Sequence, residues 1–108
     1  MVEAFLEASR GGDLERLLQL LDPDAAVRVD AAALAMGAQP LAGADAVAGH
    51  FSGRARAARL VEIDGYAGLA WWVGGRLNAA FAFILDGDRV SELELIVDPE
   101  VLATLDVS

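Results

Sequence analysis

Apolar residues along this chain keep a helical rhythm up to about residue 56 and a strand rhythm from Arg59 onward. Val2, Phe5 and Leu6 share one helical face, and Gly11-Gly12 breaks that helix. Asp13 is a good N-cap for a second helix, with Glu15 in its first turn to suit the helix dipole. Leu14, Leu17, Leu18 and Leu21 then form an i, i+3, i+4, i+7 stripe that Pro23, between Asp22 and Asp24, brings to an end. The pattern predicts a helical hairpin whose apolar side lies across a sheet.

The next stretch, Ala25 to Asp30, alternates Val27 and Val29 with Arg28 and Asp30 and predicts a short strand. Residues 31–42 fit either a helical turn or an extended passage, with breaks at Gly37 and Pro40. A third helix is predicted from about Ala44 to Arg56, with Val47 and Phe51 on its apolar side. Gly49 and Gly53 weaken it by roughly 1 kcal/mol each relative to alanine, so packing must sustain it. Strands follow at Leu60–Ile63 and Gly68–Val73, and then a long hairpin from Arg76 to Asp98, joined at Asp86-Gly87-Asp88. Leu77, Ala79, Phe81, Phe83 and Leu85 fall on one face of its first strand, and Leu93, Leu95 and Val97 on one face of its second. Asp98-Pro99 reads as N-cap and first residue of a terminal helix carrying Val101, Leu102 and Leu105. Helices gathered on one face of a curved antiparallel sheet make an α+β cone, and such a cone encloses an apolar cavity where a ligand would sit.

At 108 residues the chain is expected to form one domain, spanning 1–108, with a core of its own. A 56% hydrophobic share, much of it alanine, argues for a folded protein. No apolar run is long enough to cross a bilayer and the start is not a basic leader, so a cytoplasmic home without membrane attachment is expected. Cysteine is absent, which excludes disulfides and thiolate metal sites. Seventeen acids stand against eight bases, all arginine, for a net charge of −9. Such a chain repels a phosphate backbone, so direct nucleic-acid binding is not expected. Alanine-rich, lysine-free composition is also what a G+C-rich, actinobacterial type of genome would encode.

Three stretches resemble a known family. The opening Val-Glu-Ala-Phe-Leu-Glu-Ala-Ser-Arg-Gly-Gly-Asp-Leu-Glu-Arg-Leu-Leu is similar to the start of SnoaL-like domains of the NTF2-like superfamily. The middle, Gln39-Pro40-Leu41-Ala42-Gly43-Ala44-Asp45, resembles the approach to their third helix. The ending, Arg89 to Leu102, resembles the closing strand and Asn-Pro-x-Lys-Leu tail of the C-terminal extension of extracytoplasmic-function RNA polymerase sigma factors of the SigJ type. Where those factors carry an Asp-Gly-Gly-Gly-Lys loop, this chain has Asp30-Ala31-Ala32-Ala33-Leu34, and its tail has Asp98 for Asn and Val101 for Lys. Nothing in it resembles the promoter- and polymerase-binding sigma regions 2 and 4.

The resemblance implies a non-catalytic regulatory or small-ligand-sensing module that modulates transcription initiation through contacts with sigma-factor domains. It needs no cofactor. A free-standing isomerase, cyclase or hydratase of the ketosteroid-isomerase kind is the competing expectation. Its base would be Asp30, at a strand end, or His50, the only histidine. Desolvation can raise a carboxyl's pKa into a useful range, which is why those residue types suit proton transfer at a carbon acid. No second histidine or spaced carboxylate group accompanies His50, so no metal site is expected. Asp30, His50, Trp71, Phe81, Phe83, Leu93 and Leu95 are the expected ligand-binding set, lining the cone around a small apolar ligand. Trp72, Ala80, Ala82, Ile84 and Ile96 alternate onto the outer sheet face and form an apolar strip expected to make a homodimer or interdomain contact.

Overall fold

A computed structural model describes residues 1–108. Two helices, α1 (Val2–Gly11) and α2 (Leu14–Leu20), lead into strand β1 (Leu21–Val29). A short helix α3 (Ala31–Ala35), a two-residue strand β2 (Leu41–Ala42) and helix α4 (Ala44–Phe51) follow. The remainder is β3 (Arg59–Ile63), β4 (Tyr66–Val73), β5 (Arg76–Asp86), β6 (Arg89–Ile96) and a terminal turn of helix, α5 (Pro99–Leu102). The six strands form one sheet in the order β2-β1-β6-β5-β4-β3. Helices α1, α2 and α4 cover its concave face, where Phe5, Leu17, Val47 and Phe51 pack on Leu21, Val27, Leu69, Phe81 and Leu93.

The α+β cone expected from the sequence is present, with a mixed rather than wholly antiparallel sheet. β1 runs parallel to β6, from Ala26↔Glu92 to Val29↔Leu95. No hairpin joins these two strands, so no tight turn dictates an antiparallel direction. Helix α2 ends at Leu20, because Pro23 biases Asp22 toward extended backbone. Leu21, counted above as the end of a helical stripe, is instead the first residue of β1 and is buried there. Helix α4 ends at Phe51 rather than Arg56. Gly53 has φ 78, and its N–H donates to the Ser9 carbonyl of α1 at 2.8 Å, which turns the chain out of the helix.

Two bulges re-aim the hairpin. β4 and β5 pair as Trp71↔Ala79 and Trp72↔Leu77, so Asn78 is the extra residue. Leu77 thereby moves to the outer face, beside Trp72, away from the inner face that simple alternation assigns it. In β6 the pairs Ile84↔Glu92 and Leu85↔Val90 leave Ser91 extra, and its hydroxyl donates to the Ile84 carbonyl at 3.1 Å. Val90 thus joins the main core while Leu85 stands exposed. The hairpin loop is Gly87-Asp88, one residue later than Asp-Gly would place it. Gly87 has φ 62 at the first loop position, as a II′ turn requires.

A second layer corrects the expected outer surface. The chain after β6 folds over the convex face, and Leu102 of α5 packs with Val61, Ile63, Ala70 and Ala80. Ala80 is completely buried there, while Trp72 and Ile96 are half-buried against the same cluster. The Arg59 guanidinium lies 5.3 Å from the Trp72 ring centre. Of the five residues expected on an outer contact strip, Ala82 and Ile84 lie outside this cover, so no continuous strip exists. The last residues run antiparallel along β3, with Ser108 and Glu62 exchanging N–H···O bonds of 3.0 and 3.1 Å.

Gly68 is where the sheet tolerates no side chain. A Cβ there would lie 2.6 Å from Ile63 Cδ1 and 2.7 Å from the Phe81 carbonyl oxygen. Backbone cannot yield as a flexible side chain can, so Gly68→Ala should destabilise the fold by about 2 kcal/mol, within the usual range for overpacking. Urea denaturation followed by tryptophan fluorescence measures it.

Candidate functional site

The interior of the cone is filled by its own rings. Phe5 of α1 meets Phe51 and Phe83 edge-on, each at 5.2 Å between centres. Phe51 meets Phe81 at 5.3 Å, and Phe81 meets Trp71 at 5.4 Å. These edge-to-face arrangements suit the ring quadrupoles and leave no central cavity of ligand size. Apolar space remains at the two ends of the sheet.

One hollow, of about 320 Å³, lies where β4 ends, β5 begins and β6 ends. Trp71, Phe81 and Leu95 line it together with Val73, Ala79 and Val97, and Asn78 is its one polar side chain. Three of the residues expected to bind a ligand therefore converge. Phe83 lies instead at the opposite end of the sheet, in a hollow of about 490 Å³ with Val2 and Tyr66. Leu93 is fully buried between them and reaches neither.

Asn78 escaped the reading of the sequence because it is the bulge residue. Strict alternation sets it apart from Trp71 and Phe81, and no local signal in Leu77-Asn78-Ala79 announces the extra residue. A carboxamide in an otherwise apolar lining can both donate and accept one directed hydrogen bond, which is what would orient a small ligand there.

The two proposed bases lie elsewhere. Asp30 is the N-cap of α3: its Oδ1 accepts from the Ala33 N–H at 2.8 Å. Its Oδ2 accepts from the N–H groups of Val97 at 2.9 Å and Asp98 at 3.0 Å. The carboxylate thus ties the end of β1 to the exit of β6. Burial pushes its pKa up, but the three backbone donors from Asp98, Ala33 and Val97 together outweigh that and hold it below 3.8. This geometry makes Asp30 the cap of α3 and the tie between β1 and β6, and its lowered pKa makes the carboxylate a weaker proton acceptor. His50 is exposed on α4, with its ring 5.2 Å from that of Phe51, and it lines neither hollow. Partial desolvation, and then the Arg54 charge, lower its pKa from 6.5. No group of three or more His, Asp or Glu side chains is placed to hold a metal ion. No helix is long and apolar enough to cross a membrane.

No protein-family model matches the sequence, and neither does any curated protein. Solved structures do match. The extracytoplasmic-function sigma factor SigJ of Mycobacterium tuberculosis is 21% identical, with a TM-score of 0.69 over 94% of this chain and 43% of that one. The chain therefore spans less than half the length of that sigma factor. An NTF2-like protein of unknown function from Cytophaga hutchinsonii is 12% identical with a TM-score of 0.62, over 94% of this chain and 90% of that one. A putative polyketide cyclase from Sinorhizobium meliloti is 20% identical with a TM-score of 0.54, over 88% and 92% of the two chains. With its helices on the concave face of an open, curved, six-stranded sheet, this chain has the NTF2-like fold.

Proposed function

We propose that the chain is a non-catalytic regulatory module that acts through contacts with sigma-factor domains, and that the hollow beside Trp71 senses a small apolar ligand. The observation that carries this reading is the use made of Asp30. The Asp30 carboxylate, the acid expected to act as base, accepts from three backbone N–H groups and serves to join strands. The likeness to SigJ over nearly the whole chain supports the same reading. So does the lining of the hollow, which offers Asn78 for orientation and no group for proton transfer.

The test is a graft. The chain is placed after sigma regions 2 and 4 of the Mycobacterium tuberculosis factor, in place of that factor's own C-terminal extension, and promoter-dependent transcription is measured. The graft should change transcription about fivefold or more relative to the truncated factor, as a coupling of ordinary size requires. Transcription equal to that of the truncated factor would overturn the regulatory reading. So would turnover of a carbon acid that is lost in His50→Ala.

A further inference from the structure

The sheet is open between two of its own strands. β4 and β5 pair from Val73↔Arg76 to Gly68↔Ala82 and no further. β4 nevertheless continues through Ala67 to Tyr66, held on its other side by Glu62↔Ala67 and Ile63↔Tyr66. β5 continues to Asp86, held on its other side by β6 as far as Asp86↔Arg89. Two features spread these ends. Ile63 lies over Gly68 at the last paired position, and the bulge at Ser91 adds local twist to the β5–β6 ribbon.

The notch between them is the hollow of about 490 Å³, lined by Val2, Tyr66, Ala67, Phe83, Ile84 and Leu85. Tyr66 is 77% exposed, Leu85 47% and Ile84 44%. Large apolar side chains therefore stand in water where two strand edges lack a neighbour, and such edges present unpaired N–H and C=O groups. Carboxylates adjoin the residues lining the notch in sequence or register. Glu3 follows Val2, Asp86 follows Leu85, and Glu62 pairs with Ala67 across β4. Asp64 lies in the turn into Tyr66, where its Oδ1 accepts from the Asp106 N–H at 2.9 Å. None of them is in an ion pair, the only one in the chain being Arg28–Glu92 at 3.0 Å. The neighbouring cations are Arg89, across from Asp86, and the Met1 amino group.

We propose that this notch docks an extended segment of a partner protein, with apolar side chains at alternate positions and arginine or lysine on either side of them. The backbone of such a segment would pair with the free strand edges, and its basic flanks would meet the carboxylates. A second copy of this chain is the wrong occupant, because it brings a net charge of −9 to an acidic rim. The proposal is independent of the sigma-factor reading and holds for any partner of this chemistry.

The probe is the synthetic peptide Arg-Arg-Val-Thr-Val-Thr-Val-Arg-Arg, titrated into the isotope-labelled full chain and followed through its backbone amide resonances. Shifts should concentrate at Tyr66, Ala67 and Phe83 to Asp86. Exchanging the peptide's arginines for glutamates should weaken binding about tenfold or more, since like charges then face each other. Leu85→Arg should weaken it as well, and because Leu85 is exposed that variant keeps the fold. Four results would overturn the proposal: no shifts at millimolar peptide, equal binding of the glutamate peptide, shifts centred on Trp71 and Leu95, or self-association of the chain through Tyr66 and Leu85.

Discussion

Phe5→Ala should cost about 4 kcal/mol of folding stability, the usual range for deleting a fully buried phenylalanine. The side chain is wholly buried and touches two other rings, Phe51 and Phe83. Its removal forfeits the transfer free energy of the ring, leaves a cavity under α1, and breaks two edge-to-face pairs worth roughly 0.5–1.5 kcal/mol each beyond their burial. A domain of this size is held by only about 5–15 kcal/mol in all, so the variant should be visibly close to unfolding at ambient temperature. Phe5→Leu should recover most of the loss, because it keeps much of the buried apolar volume while giving up the ring contacts. Urea midpoints for the two variants check this. An unchanged midpoint for Phe5→Ala would mean that the cone interior is not the packed aromatic core described above.

Asp30→Asn should remove about 3 kcal/mol, because the bonds at one carboxylate oxygen are lost outright and those at the other lose their charge. The carboxylate accepts on both oxygens, from Ala33 on one side and from Val97 and Asp98 on the other. An amide has only one accepting end, so its NH2 group must face N–H donors at one site or the other. Melting temperature should fall by roughly 15 °C. The effect is tied to pH. The folded state depresses the Asp30 pKa below 3.8, so the native chain releases this proton more readily than the unfolded chain does. The resulting stabilisation is present in full above about pH 5 and is lost as pH falls below 3.8 through the folded-state value. The stability gap between the native chain and Asp30→Asn should therefore be constant from neutral pH down to about pH 5 and narrow in stronger acid. A gap of the same size at pH 2.5 and pH 7 would show that charge has no part in the cap.

Much of this architecture is legible in the residues, and the failures share one cause. Two-residue alternation correctly turns Trp71 toward the helices, packed against the main core, and Trp72 toward the opposite face. The same rule fails at Leu77 and Val90, because the bulges at Asn78 and Ser91 shift the phase of the positions beyond them and carry no compositional mark here. Ala80 was legible as outward-facing, yet the cover of the outer face comes from Leu102, at a distance in sequence that no local pattern spans. Asp30 was legible as a strand-end carboxylate. That its second oxygen is taken by Val97 and Asp98 depends on β1 lying beside β6, a pairing between distant parts of the chain. Periodicity reports which residues face alike within an element. It says little about which element arrives to cover them.

That parallel pairing of β1 with β6 has a consequence for how the chain comes to be folded. β1 is complete by Val29, but its main partner begins only at Arg89. Contacts of such wide sequence separation slow folding, since the intervening chain must be ordered before the contact returns any free energy. During synthesis the helical opening, β1, β2 and α4 emerge first, and the edge of β1 that β6 will occupy waits until the last strand is made. The centre of the sheet is thus the last part to close, and a chain stopped short of β6 has no partial version of this core to settle into.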